Sequence, residues 1–368
     1  GLPYGGDALD WDLLRRLSDV RGVSGDEGRV RDLLAAHVEP HVDRLWTDDI
    51  GNLYAAKRGE GAQDRVGGSV GDRLPSGPVM LCAHLDEVGL IVTDVDADGM
   101  VRFAAVGGVL SASVVGQRVA VGPDGMPGVI GLPPAHATAE AARGRLPALA
   151  ELRIDLGVTT RDAALDRVGI GDAVVWDTAV VDLGPTLLGK AFDDRAGCWA
   201  LAMLLERRFP VDVVAVWSVQ EETGLRGAGI AAHRLRPSAA IVLECGTTDD
   251  TPKERDETPV MRVGDGPAIT VVDAVMVADE RLVAHLVASA ARAGVRHQIR
   301  APKGGGTDGG RIHLAREGVP TAVVSAPCRY LHGPLALVSK HDLAGVVALV
   351  RAALDAWPDA ARALEVHR

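Results

Sequence analysis

The stretch Val211-Asp212-Val213-Val214-Ala215-Val216-Trp217-Ser218-Val219-Gln220-Glu221-Glu222-Thr223-Gly224 decides the fold. An apolar, β-branched run stops at two adjacent carboxylates and a glycine. The run is too apolar to alternate, so it reads as a central strand buried on both faces, in a largely parallel sheet. Ligands of open α/β sheets gather outside the carboxyl ends of such strands. Glu221 and Glu222 therefore stand where chemistry is expected. Two like charges side by side need a cation or a retained proton; the plainer reading is a solvated strand-to-loop turn.

Working outward, three more runs repeat the pattern. Pro78 to Ala83 is a buried strand that delivers His84 and Asp86, and Ser238 to Leu243 is another that ends at Glu244. Thr321 to Ser325 is a fourth and leads to His332. Helical periodicity marks Asp12 to Leu17, Asp194 to Arg208, Asp279 to Ala293, Asp308 to Arg316 and Asp342 to Trp357, the last ended by Pro358. Ser24-Gly25-Asp26-Glu27 matches a capping box for a further helix carrying Val30, Leu33 and Leu34. Asn52 to Ala56 is a short strand. Gly59 to Gly77 and Thr247 to Pro259 are polar and aperiodic, and read as mobile loops.

Between Val88 and about Leu183 the texture changes. Short strand-like runs (Leu90–Val95, Met100–Ala105, Arg118–Val121, Gly128–Leu132, Glu151–Leu156 and Asp172–Trp176) alternate with Gly, Pro and Asp turns, and only Arg161–Arg167 is helical. The expected architecture is an α/β, three-layer catalytic domain with a mixed, largely parallel sheet, assigned to residues 1–88 and 184–368. A small β-barrel is inserted at 89–183.

Composition narrows the function. The 368 residues, 47% hydrophobic with 44 glycines, suit a compact α/β protein. A net charge of −11 without any basic run argues against a nucleic-acid surface. It hints at basic or neutral substrates, although net charge does not describe a pocket. No apolar stretch approaches the roughly 18 residues of a membrane span, and Gly1 to Asp10 lacks the pattern of a secretion signal. Cys82, Cys198, Cys245 and Cys328 are scattered singly, as reduced thiols of a cytoplasmic protein would be.

Collected, the candidates are His84, Asp86, Asp193, Asp194, Glu221, Glu222, Glu244 and His332. Five of them follow buried strands of one sheet, and Asp193-Asp194 precedes a helix, so all can share a pocket. Two imidazoles with several carboxylates suit Zn²⁺ or a similar divalent ion, and their number suits a pair. Two ions roughly 3.5–4 Å apart need a bridging carboxylate, and can activate a water for hydrolysis. Asp86, two residues beyond His84, points to the same side and is placed to accept the free ring N–H. Plainer readings stand beside these: a polar rim histidine, a helix cap at Asp193-Asp194, a buried ion pair at Glu244.

Ala83-His84-Leu85-Asp86-Glu87-Val88-Gly89, Gly189-Lys190-Ala191-Phe192-Asp193-Asp194-Arg195-Ala196-Gly197, Gln220-Glu221-Glu222-Thr223-Gly224, Gly305-Gly306-Thr307-Asp308 and Arg329-Tyr330-Leu331-His332 resemble the motifs of the TET-type aminopeptidases, dinuclear metallopeptidases that include glutamyl, leucyl and lysyl enzymes. The resemblance covers nearly the whole chain. It implies that His84 and Glu244 hold one ion, Glu222 and His332 the other, and Asp193 bridges them. Glu221 would be the general base, with Asp86 acting through His84, and the Asp193–Asp194 peptide would be cis. The ions would be Zn²⁺ or Co²⁺, with Mn²⁺ an option, and the substrates peptides with a free N-terminus. The resemblance also implies dimerisation through the barrel and assembly of dimers into a tetrahedral dodecamer. Many relatives have Asp where Glu244 stands, and Gly333 replaces a common Ser. Rival readings are a metal-dependent deacylase, a glycan hydrolase, and a non-catalytic shell or carrier. The second would favour an aromatic groove, and only 3% of this chain is aromatic.

Overall fold

In the computed structural model, residues 9–60, 77–137, 144–252, 260–301 and 304–365 are described. Most of Gly59–Gly77 and the later part of Thr247–Pro259, both expected to be loops, lie outside them. Four parallel strands form the centre of one sheet: Val213–Ser218, Val79–His84, Ala239–Thr247 and Thr321–Arg329, in that spatial order. Antiparallel strands extend it on both sides. Leu53–Lys57 and Arg44–Thr47 lie beyond Val213–Ser218, and Ala336–Ser339, Thr186–Gly189 and Val181–Asp182 lie beyond Thr321–Arg329. A side pair, Ala268–Thr270 and Gln298–Arg300, also attaches to Thr321–Arg329.

The side-chain period of two explains why the central runs carry no polar alternation. Val213, Ala215 and Trp217 enter one core with helices Trp11–Asp19, Phe192–Leu205 and Lys340–Asp355. Val214 and Val216 enter a second core beneath helix Arg226–Leu235. Both faces are buried, so both need apolar residues, each contributing about 1.5–3 kcal/mol when fully covered. The insert has a third core of its own. Strands Gly89–Val95, Val101–Val106, Arg118–Val121, Met126–Ile130, Ile154–Asp155 and Ala173–Trp176 close into a barrel, leaving no free edge.

Four local expectations are corrected. Ser24 and Glu27 do not form a capping box: helix Gly28–Val38 has no side-chain cap. Ser24 Oγ donates instead to Asp86 (2.6 Å), and Glu27 accepts from Gly25 and Gln220 N–H, because a buried carboxylate and a turn compete for those groups. The strand expected to end at Glu244 runs on to Thr247, paired residue for residue with Thr321–Arg329. The helix expected over Asp308–Arg316 is only Gly309–Ile312. Pro358 does not close the last helix. Helix Lys340–Asp355 ends before it, and a new helix, Trp357–Glu365, starts with proline in its first turn, where its missing N–H costs nothing.

Candidate metal centre

The central strands end on one side of the sheet, and all eight sequence candidates come together there. His84 is the last residue of its strand and is held from three directions. Its Nδ1 faces the Asp86 carbonyl at 3.0 Å, its backbone N–H donates to Asp194 (3.2 Å), and its carbonyl accepts from Cys198 Sγ (3.0 Å). The Asp86 carboxylate stands farther from the ring, with Oδ1 3.5 Å from Nδ1. Carbonyl and carboxylate of Asp86 thus both face this ring nitrogen, the carbonyl at the shorter distance. The carboxylate also clamps the turn carrying the paired glutamates, accepting from Glu221 N–H and Glu222 N–H at 3.0 Å each.

Asp193 and Asp194 sit at the start of helix Phe192–Leu205 with non-helical dihedrals, and the peptide between them is cis. Asp194 is buried and accepts from the backbone of His84 and Gly197, so the cap reading holds for it. Asp193 points the other way. One oxygen lies 3.2 Å from His84 Nε2, the other 3.2 Å from His332 Nε2. Behind this turn Lys190 and Arg195 reach the buried Glu87 at 2.8 and 3.3 Å, and Arg195 also donates to the carbonyls of Leu17, Val20, Gly22 and Leu85. That buried cluster fixes where the Asp193 turn begins.

Glu244 Oε2 approaches His84 Nε2 at 3.8 Å, and Glu222 Oε1 approaches His332 Nε2 at 3.2 Å. The donor atoms of His84, Asp194 and Glu244 lie within 4.8 Å of one another, as do those of His84, Asp193 and Glu222. Ligands about 2.0–2.2 Å from a tetrahedral ion stand about 3.3–3.6 Å apart, so these separations suit cations between the side chains. Glu244 Oε1 is buried without a hydrogen-bond partner, a costly state for a carboxylate unless something positive faces it. The residues therefore fit divalent ions.

The electrostatics agree. Burial pushes the Glu221 and Glu244 carboxyls well above the carboxylate range and raises Glu222, with neighbouring carboxylates adding to each. Burial would lower His332, but Asp193 and Glu222 outweigh it and raise the imidazole to about 11. Protons stand in for positive charge in such a cluster, and a cation would displace them.

The site opens into a cavity of about 470 Å³ lined by His84, Asp193, Glu221, Glu222, Glu244 and His332. Arg300 and Asp273, which sequence reasoning missed, also line it. Arg300 donates to Ser325 Oγ (3.2 Å), and its Nε is buried without a partner. Asp308, quoted only within a motif, is buried behind the site and accepts from Ser218 Oγ. Gly107 and Gly108 of the insert lie close against two of these side chains: a Cβ on Gly108 would stand 3.0 Å from His332 Nδ1, and one on Gly107 3.3 Å from Glu222 Cβ. Ligand chemistry in the sequence announced the first group, whereas the glycines, Arg300 and Asp273 carried no such signal.

Comparison with known proteins gives the same picture. A family model described as M42 glutamyl aminopeptidase matches residues 70–349. The chain is 33% identical to the aminopeptidase APDkam598 of Desulfurococcus kamchatkensis, covering 96% of this chain and 97% of that one with a TM-score of 0.88. It is 27% identical to the TET1 peptidase of Pyrococcus horikoshii, which can assemble into a tetrahedron or a large octahedral shell (TM-score 0.80, 93% and 98% coverage). The glutamyl aminopeptidase of Lactococcus lactis is 28% identical over 93% of this chain and 95% of its own. With its sheet, inserted barrel and converging carboxylates and imidazoles, the chain belongs to the M42 glutamyl aminopeptidase family of peptide-bond hydrolases.

Proposed function

We propose that the protein is a dinuclear-metal aminopeptidase that removes N-terminal residues from peptides, with Glu221 as general base. The observation that supports it best is Asp193, whose two oxygens each face a different imidazole at 3.2 Å. His84 and Glu244 would hold one ion, Glu222 and His332 the other, with Asp193 between them. Two such ions, Zn²⁺ or Co²⁺ with Mn²⁺ as an option, would polarise the peptide carbonyl and lower the pKa of the attacking water.

The chain's own groups do the rest. Glu221 Oε2 stands 4.0 Å from His84 Nε2, at the cavity wall, with its backbone fixed by Asp86. Burial raises its carboxyl, which makes it a stronger base once ionised. It takes the proton of the water as the oxygen adds to the carbonyl, and returns that proton to the departing amine. Asp86 keeps the Glu221–Glu222 turn in place while this happens.

We place the catalytic domain at 1–88 and 184–368 and the dimerising barrel at 89–183, with dimers assembling into a tetrahedral dodecamer. Among the described residues no helix is long and apolar enough to cross a membrane, and all four cysteines are free and buried, which fits a reducing cytoplasm. Hydrolysis of a panel of free-amine peptides, with and without chelator, tests the reading. It stands if free-amine substrates turn over and chelator abolishes the rate. It fails if N-acylated peptides or a cellulosic polymer are hydrolysed instead.

A further inference from the structure

The metal-centre cavity has a neighbour. A second cavity of about 510 Å³ lies where the insert meets the catalytic sheet. Thr247, Leu331 and His332 line both, so the His332 imidazole forms part of the wall between them. The two differ in chemistry. The first is walled by carboxylates. Among the described residues the second is lined by no Asp, Glu, Lys or Arg, and it presents Leu110, Tyr330 and Leu335, exposed by 72%, 59% and 41%.

Single exposed apolar residues are ordinary, but three around one cavity that continues a candidate active site mark a binding surface. Their placement is built. Leu110 follows Gly108, which lies against the His332 ring and so fixes the insert's loop to the metal centre. Tyr330 and His332 both have left-handed backbone, at φ 60° and 64°, a conformation that is costly for side chains of this size. That loop turns His332 toward the carboxylates while leaving Tyr330 in the open. Gln117 stands on the insert's side with no side-chain hydrogen bond among the described residues.

We propose that this second cavity receives the side chain of the substrate residue that follows the scissile bond, and that it selects for an apolar one. The inference rests on the aminopeptidase reading. A free N-terminus is largely cationic at neutral pH, so charge draws it to the carboxylate-lined cavity. The first residue would occupy that side, with the departing chain running past His332, which both cavities share. Consecutive Cα atoms are about 3.8 Å apart, a step that carries the second residue across the shared wall. There an apolar side chain removes its own surface and that of Leu110, Tyr330 and Leu335 from water. The Gln117 amide is placed to meet the polar backbone that accompanies it.

The test uses the metal-reconstituted full chain and peptides X-Gly-Ala-Ala, X-Leu-Ala-Ala and X-Asp-Ala-Ala, with X the residue whose simple amide is cleaved fastest. The expected kcat/KM for Leu at the second position exceeds that for Gly at least tenfold, mostly through KM, and Asp falls below Gly. Leu110→Ser and Leu335→Ser each bring the Leu/Gly ratio to within about threefold of unity while sedimenting like the parent. A Leu/Gly ratio near one in the unmodified protein overturns the proposal, with no variant needed. So does a ratio that neither variant changes, or a collapse accompanied by altered sedimentation, which assigns the face to a second copy of the chain. Cleavage of no X-amide breaks the aminopeptidase reading itself, and this proposal falls with it.

Discussion

The two imidazoles of the centre are held by opposite means. His84 ends a central strand, its side chain 2% exposed, with ring, N–H and carbonyl each engaged by a neighbour. His332 sits in a loop, its side chain 34% exposed and its backbone left-handed. Its Nδ1 has no hydrogen-bond partner among the described residues, and a Cβ added at Gly108 would stand 3.0 Å from it. One half of the site is set by the sheet and the other by a loop braced against the insert. The rigid half should therefore bind its ion tightly, and the braced half should depend on how well the insert is seated.

The largest expected effect separates chemistry from both halves. Glu221→Gln keeps the shape of the side chain and removes its basicity, so kcat should fall by about 10²–10⁴. Both ions should remain, as measured by metal analysis of the reconstituted protein. Loss of an ion from this variant would make Glu221 a ligand, and a preserved rate would remove it as the base.

Next come the imidazoles themselves. Loss of a group that only orients a ligand typically costs 10–100-fold in metal affinity, and loss of a ligand should cost at least the upper figure. His84→Ala should therefore empty the rigid half and abolish turnover. His332→Ala should retain one tightly bound ion and lose the second. Calorimetric titration of the metal-free chain with Zn²⁺ should also resolve two unequal steps in the parent. Equal affinities in the parent, or remaining ions of equal affinity in the two variants, would erase the distinction between the halves.

The same contrast marks how much could be read in advance. The strand Val213–Ser218 was legible because a strand buried on both faces needs apolar residues at every position. The closed barrel was legible because short runs between glycine and aspartate turns leave little room for helices. His84, Asp193, Glu222 and His332 announced themselves because few side chains ligate metals. Glu244 was found, but its strand was cut short. A carboxylate at the end of an apolar run looks like an end, and only pairing with Thr321–Arg329 carries the strand on to Thr247. Ser24 and Glu27 misled because a capping box is a local pattern, and the buried carboxylate of Asp86 lies far away in sequence. Arg300 and Asp273 line the cavity from segments with no ligand signature. Gly107 and Gly108 could not be read at all, since what they supply is the absence of a side chain.

That absence provides the finest test. A Cβ at Gly107 would stand 2.8 Å from Val88 Cγ1 in a backbone at φ +80°, so a substitution there disturbs the insert's own packing and tests too much at once. Gly108 has no such backbone constraint, and its Cβ would meet only the His332 ring, at 3.0 Å from Nδ1 and 3.6 Å from Cε1. Gly108→Ala must therefore move the imidazole by a few tenths of an ångström, or move the loop that carries it. A displacement that small leaves the ligand in place but off its best geometry, and the weaker ion should bind about tenfold less tightly. The tighter ion should be unaffected, because a Cβ at Gly108 would come within 4 Å of none of Asp86, Asp194 and Cys198, which hold His84. Two-step titration of this variant reads both affinities in one experiment. Equal weakening of both steps would mean that the halves are mechanically one, and no change in either would mean that the insert does not brace His332.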